Sequence, residues 1–312
     1  MLSRRLIRVK VFKVLFGKMS AGCDSLQQME KELLASCDKT VDLYSFLLGL
    51  PVALKNVAIE KIDAGLNKYR PTEQEANPNK KFVENKFIQI LEEDTAFGNM
   101  CAKKGLVWAD HDSLVKKIYG SIVASEYFQD YMNNPHRSLE EDIALVKTIF
   151  EEELEDNQAL EDILEDASIF WMDDLAYVIN TITKNLDTIA KKKFVSVPET
   201  FLKNEDKQFA LRLLTQAYIK AEEYRQVIYN SVSNWDSDRL VATDIALIVQ
   251  GMAEAVYFET IPLKVTINEY VEISKYYSTP NSKFFVNGLL DKILDQMNKD
   301  GKIVKSGRGL VG

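Results

Sequence analysis

Histidine and cysteine are scarce in this sequence of 312 residues, which contains two of the first and three of the second. The cysteines, Cys23, Cys37 and Cys101, form no C-x-x-C pair and are odd in number. This pattern predicts no disulfide framework and favours a reducing compartment. His111 is flanked by two aspartates, but no second His or Cys is spaced to complete a metal site, so we expect a solvated helix cap there and no metal or other cofactor.

Long apolar runs are also absent. The longest, around Tyr44 to Leu54, is short and contains Pro51, so it predicts a core segment rather than a membrane span. The basic residues ahead of Cys23 resemble a lipoprotein signal, but lysines interrupt the stretch that should be apolar, which excludes an export signal. The sequence therefore predicts a cytoplasmic protein with no membrane contact.

Strand-like alternation of apolar and polar residues is nearly missing, whereas helical spacing is common. Leu114, Ile118 and Ile122, for example, recur at steps of four, as one buried helix face requires. We therefore predict an all-α fold of about nine or ten helices.

Charge is distributed unevenly along the chain. The total of 39 Lys and Arg against 47 Asp and Glu gives a net charge of -8, which excludes a protein coated with positive charge for wholesale nucleic-acid binding. Residues 1–23 nevertheless carry six basic residues and no acidic residue before Asp24, whereas residues 151–174 carry acidic residues and no Lys or Arg. We interpret the acidic run as a solvated face rather than an active site.

The basic N-terminal segment has the pattern of an amphipathic helix. At 100° per residue, Arg5, Arg8, Phe12 and Phe16 fall on one flank with Arg4 beside them, opposite an apolar face that includes Val11. Guanidinium groups beside aromatic rings suit single-stranded RNA, because they bind phosphates and stack on unpaired bases. On the pattern alone, two alternatives stay open: Arg and Lys stems that cover apolar surface, and a helix that binds a membrane or a partner protein.

The C-terminal third contains an Asn287-Gly288 pair within a helical apolar period. Because that period argues against a hairpin, we expect a close helix contact at Gly288 and a hydrogen-bonded Asn287.

Two strings at opposite ends of the chain resemble one family. The string IPLKVTINEYVEISKYYSTPNSKFFVNGLLDKI, residues 261–293, is similar to the C-terminal signature of the bacterial NusB antitermination factors, and SRRLIRVKVFKVLF, residues 3–16, resembles their arginine-rich first helix. The similarity extends loosely back to about Asp206. Usual members are less than half as long, which implies a NusB-like helical bundle with an additional helical subdomain: residues 1–41 and 201–312 form the family-like unit, and 42–200 an acidic helical insertion.

This resemblance implies an RNA-binding protein that is not an enzyme. Family members pair with the ribosomal protein NusE, bind boxA RNA of ribosomal RNA leader transcripts, and act in the RNA polymerase antitermination complex with other Nus factors. The residues that the resemblance and the basic helix assign to RNA binding are Arg4, Arg5, Arg8, Lys10, Phe16, Asp244 and Phe285.

Two departures from the family pattern bear on affinity. Leu6 and Ile7 dilute the usual arginine density, and Val249 stands where arginine is common. Two alternative functions remain: an accessory domain of an RNA-modifying enzyme, for which the sequence lacks a glycine-rich cofactor turn after a strand, and an acidic helical adaptor that binds only protein.

Overall fold

The computed structural model describes residues 1–21, 25–232 and 241–306, so Cys23 lies outside the described residues. Within these ranges the chain forms α-helices, one 3-10 helix at Trp108–His111 and no strand, which confirms the all-α class. The helices are α1 (Arg4–Ala21), α2 (Leu26–Leu48), α3 (Leu50–Leu66), α4 (Glu73–Ala76), α5 (Lys86–Glu93), α6 (Thr95–Lys104), α7 (Asp112–Ala124), α8 (Glu126–Asn133), α9 (Leu139–Leu154), α10 (Gln158–Ala167), α11 (Leu175–Lys192), α12 (Asn204–Ile219), α13 (Ala221–Ser231), α14 (Ala242–Tyr257), α15 (Leu263–Tyr277) and α16 (Ser282–Lys299).

The expected number of helices is wrong, because the described residues alone contain sixteen. The difference comes from short helices that have their own N-terminal caps. Asn85 accepts a hydrogen bond from Ile88 N, and Ser125 accepts one from Phe128 N. These caps start α5 and α8 as separate helices, each eight residues long. His111 precedes α7 but its side chain makes no cap hydrogen bond; instead its ring meets Phe46 edge-on.

The chain divides into two compact units. Residues 1–37 and 201–312 form the first, here called the terminal unit, and residues 38–200 form the second, the middle unit. The terminal unit holds 21 Lys and Arg against 17 Asp and Glu, a net charge of +4, whereas the middle unit holds 18 against 30, a net charge of -12. The acidic balance of the chain therefore originates in the middle unit.

The core of the terminal unit is built around α14, which contacts α1, α12, α13, α15 and α16. Its residues 244–255 are all buried, because the helix is apolar on nearly every side and a helix of that kind must be surrounded. Gly251 lies at a close crossing: a Cβ built there would be 3.1 Å from Leu290 Cδ2 and 3.2 Å from Tyr270 Cδ2.

The close contact expected at Gly288 is absent. Gly288 is exposed on α16, and a Cβ built there meets no heavy atom within 4 Å. Asn287 is exposed as well, so the pair faces solvent and the buried face of α16 is formed by its apolar neighbours.

The middle unit has an aromatic core. The ring of Phe46 stacks on Trp108 at 4.3 Å and on Trp171 at 5.8 Å between centroids. Both indole N–H groups donate to backbone carbonyls, Trp108 to Phe46 at 2.7 Å and Trp171 to Lys39 at 2.8 Å. The free Cys101 is buried in the same unit.

One helical stretch, Leu26–Leu66, is long and apolar enough to cross a membrane by length and composition. Its most apolar window has a mean hydropathy of 1.3. The expectation that no stretch approaches this composition is therefore wrong. In the fold, 61% of that window is buried.

Candidate nucleic-acid interface

The first helix lies in the core of the terminal unit rather than on its surface. Residues 6–12 are all buried, including Phe12 on the flank that was expected to face RNA. The reason is that α1 contacts both α12 and α14, while Phe12 meets the edge of the Tyr277 ring at 5.6 Å. The helical period of the sequence identified the apolar face of α1 as buried. The flank that carries Arg8 and Phe12 is buried too, because helices distant in sequence cover it.

Arg8 is held inside this core by Glu254 of α14. Arg8 is 3% exposed, and its Nε and Nη2 donate to Glu254 Oε2 and Oε1 at 2.6 and 3.0 Å. Thr266 Oγ1 donates to Oε1 at 2.9 Å and the Tyr270 hydroxyl to Oε2 at 3.3 Å. Burial raises the pKa of Tyr270 well above its ordinary value, so this phenol stays a neutral donor.

Arg8 and Lys10 are therefore buried and not presented on the surface as the sequence pattern suggested, and their role as phosphate ligands stays a prediction. The guanidinium of Arg8 is already bound on two nitrogens by a buried carboxylate. Lys10 is also buried, and its Nζ donates to the backbone carbonyl of Ser36 at 3.0 Å. Both side chains fix α1 in the unit, because a buried cation requires a partner of opposite charge or a set of acceptors.

Arg5 lies one turn earlier and is half exposed. Its Nε and Nη2 donate to Glu269 Oε2 and Oε1 of α15, at 3.0 and 2.8 Å, in a bidentate pair. The hydrogen bond from Arg5 lowers the pKa of Glu269, which therefore stays ionised at neutral pH. Glu269 Oε2 also lies 3.5 Å from Nη1 of Arg8.

Arg4 is the other exposed arginine of α1. Its Nε lies 2.8 Å from Asp206 Oδ1, and its guanidinium carbon is 4.2 Å from the centroid of the Phe209 ring, both on α12. The structure thus brings Arg4, Arg5 and Arg8 together, but it pairs them with three carboxylates. The positive charge that the sequence indicates is balanced locally in the fold.

Sequence reasoning missed these carboxylates, which lie more than 200 positions away from the arginines. One signal was present: Glu254 stands in the most apolar helix of the terminal unit. A buried carboxylate inside such a helix needs a cation or several hydrogen-bond donors as partners.

Asp244 and Phe285 come together at a second position in the terminal unit. They line an open groove of about 640 Å³ with five other residues, Val241, Thr279, Asn281, Ser282 and Phe284. Asp244 is buried and accepts hydrogen bonds from Ser278 Oγ at 2.6 Å and Ser282 Oγ at 2.8 Å. Burial raises the pKa of Asp244, although both hydroxyls oppose that shift.

Phe16 lies at the far end of α1 from Arg4. It is half-buried and stacks on Phe12, with 5.8 Å between ring centroids. Phe12 in turn contacts Tyr277, the residue before Ser278, so an aromatic row leads from Phe16 toward the residues that hold Asp244. The RNA-binding role remains a prediction for all seven residues, Arg4, Arg5, Arg8, Lys10, Phe16, Asp244 and Phe285.

Comparison with known proteins identifies the family of the matched region. Residues 177–295 match the NusB family model. The range begins in α11, earlier in the chain than the sequence resemblance reached, and it excludes α1. The division of the chain into residues 1–41, 42–200 and 201–312 stays a prediction.

Relatives align with part of the chain. The transcription antitermination protein NusB of Salinibacter ruber is 39% identical over 106 residues, 34% of this chain and 66% of the relative. That of Chloroherpeton thalassium is 32% identical over 136 residues, 43% and 63% of the two chains. That of Natranaerobius thermophilus is 26% identical over 115 residues, 37% and 83%.

The alignments thus span just under two thirds of the first two relatives, and no solved structure matches the chain significantly. Residues 177–295 thus match the NusB family, within a chain that carries additional helices outside the matched region.

Proposed function

We propose that this protein is a cytoplasmic transcription antitermination factor, not an enzyme. It binds boxA RNA of ribosomal RNA leader transcripts together with the ribosomal protein NusE, within the RNA polymerase antitermination complex and its other Nus factors. The observation that carries the proposal is the family match at residues 177–295, supported by relatives named as transcription antitermination proteins.

Within this proposal, Arg4 and Arg5 are the phosphate ligands of α1. They are its two half-exposed arginines, and guanidinium groups bind phosphate oxygens through paired hydrogen bonds. Arg8 acts indirectly, because its pair with Glu254 fixes the helix that presents them. Phe16 and Phe285 are half-buried and offer ring faces to a base or to NusE, and Asp244 orders the groove beside Phe285.

The test compares binding of a fluorescent boxA oligonucleotide to the wild type and to the double variant R4A/R5A, with and without NusE. We expect the double variant to bind about ten-fold or more weakly, since loss of about 1.4 kcal/mol is ten-fold and charged hydrogen bonds are worth at least this much. Pairing with NusE, followed by gel filtration, should be unchanged.

Arg137 of the middle unit supplies a matched control. Its side chain is 52% exposed and forms an ion pair with a glutamate. The side chain of Arg5 is similarly 53% exposed and also forms an ion pair with a glutamate. R137A should leave boxA affinity unchanged. Equal losses in R137A and R4A/R5A would contradict the assignment of α1, and NusE pairing without any boxA preference would favour the protein-only adaptor.

A further inference from the structure

The exposed ion pair on α1 occupies one of the two edges through which Arg5 can bind a phosphate with paired hydrogen bonds. The Nε and Nη2 atoms form this edge, a fork with parallel N–H bonds, and Glu269 accepts from both of them at 3.0 and 2.8 Å. A phosphate that binds through the same edge needs the same two donors. Such a phosphate therefore competes with Glu269.

A groove opens beside this pair. It has a volume of about 720 Å³, and its lining includes Arg4, Arg5 and Glu269 together with the apolar side chains of Phe258, Pro262 and Val265. Cationic groups beside apolar surface suit a nucleotide, because the phosphate meets the arginines and the base covers the apolar side chains. The groove gives a ligand direct access to the Arg5 fork.

Glu269 also has a second cation within reach. Its Oε2 lies 3.5 Å from Nη1 of Arg8, and Arg8 itself is fixed by Glu254 on its other two nitrogens. If a phosphate binds Arg5, Glu269 keeps Arg8 as a partner and no carboxylate is left without a cation. This arrangement lowers the free-energy cost of the exchange, since a half-buried charge destabilises the protein when it loses every partner.

We propose that Glu269 is an internal competitor for RNA: it holds the phosphate-binding fork of Arg5 in the free protein and moves to Arg8 alone when an RNA phosphate enters the groove. The inference rests on the proposed RNA-binding function and assigns to that site a residue that sets its affinity. Glu269 thereby weakens the binding of single anions to Arg5. An RNA strand that contacts the protein at several points displaces it.

The test is the affinity of E269Q for the boxA oligonucleotide. The amide keeps the shape of Glu269 without its charge, so we expect binding about two- to five-fold tighter than wild type, the range that matches loss of an exposed ion pair. In an R5A background, E269Q should give no gain, because the fork is missing. Thermal unfolding followed by circular dichroism checks that each variant is folded, and E269A provides a second variant.

Glu272 serves as the charge control. It lies on α15 and is hydrogen-bonded to Lys275 instead of an arginine, so E272Q removes the same charge from the same helix without freeing the fork. Equal gains in E269Q and E272Q would overturn the proposal, because they would report net charge alone. Unchanged or weaker binding of E269Q, with wild type binding boxA, would overturn the inference and leave the proposed function standing. Absence of boxA binding by the wild type would overturn both.

Discussion

Arg5 and Arg8 lie one turn apart on α1 and meet different surroundings. Arg8 is buried and bound to Glu254, which also accepts hydrogen bonds from Thr266 and Tyr270, whereas the side chain of Arg5 is half in solvent and bound to Glu269. Removing one partner of a buried ion pair leaves an uncompensated charge, but removing an exposed arginine leaves a carboxylate that water can solvate. The two arginines therefore have separable roles, one in stability and one in binding.

For these two residues we predict that R8A lowers the free energy of unfolding by about 3 to 5 kcal/mol, whereas R5A changes it by about 1 kcal/mol or less. Urea unfolding followed by circular dichroism measures both values. Similar losses in the two variants would contradict the burial difference. A combined R5A/R8A variant consequently tests folding rather than RNA binding, and R4A/R5A is the informative pair.

Among the elements, α14 determines how closely its neighbours pack. A methyl group at Gly251 of this helix would press on the side chains of Leu290 and Tyr270, which would have to shift by a few tenths of an ångström, whereas Gly288 of α16 has open space. Both glycines are inside helices with ordinary helical backbone, so a difference between the two substitutions would come from space alone.

We predict that G251A destabilises the protein by about 1 to 3 kcal/mol, because the added carbon forces α15 and α16 to shift. G288A should instead stabilise it by about 0.5 to 1 kcal/mol, since alanine loses less backbone entropy than glycine in a helix. Midpoints of urea unfolding for the two variants check both signs. A loss in G288A would mean that its side of α16 is covered.

How far the sequence predicts these elements depends on the range of the interactions. Helical spacing correctly gave the all-α class, because it is a local property. It did not give the number of helices, since caps such as Asn85 and Ser125 divide long periodic stretches into short helices. It also did not give the burial of Arg8, because the partner Glu254 is 246 positions away. The exposed residue Arg5 was identified, but its competitor Glu269 was not.

For the whole molecule, net charge gives a poor description of the candidate RNA surface. The terminal unit carries +4 and the middle unit -12, yet the arginine cluster itself is balanced by Asp206, Glu254 and Glu269. Of the four α1 side chains that the sequence assigns to phosphates, Arg8 and Lys10 are buried, whereas Arg4 and Arg5 are half exposed.

We therefore predict that R4A/R5A removes two phosphate contacts from boxA binding. Each phosphate contact with a single strand contributes about 0.7 to the slope of log affinity against log salt, so this variant should lower the slope by about 1.4, whereas K10A should leave it unchanged. Fluorescence anisotropy at several NaCl concentrations measures both values. A decrease of about 0.7 in K10A would show that Lys10 reaches the RNA as well.

The pairing of Arg8 with Glu254 also has a consequence for synthesis of the protein. The two residues are 246 positions apart, and at about 5 to 20 residues per second the ribosome needs about 12 to 50 s to make the second after the first. Residues 38–200, a compact unit of their own, emerge during that interval and have time to fold first. Helix α1 then reaches its final packing only after α14 has been made, and until then Arg8 lacks its partner Glu254.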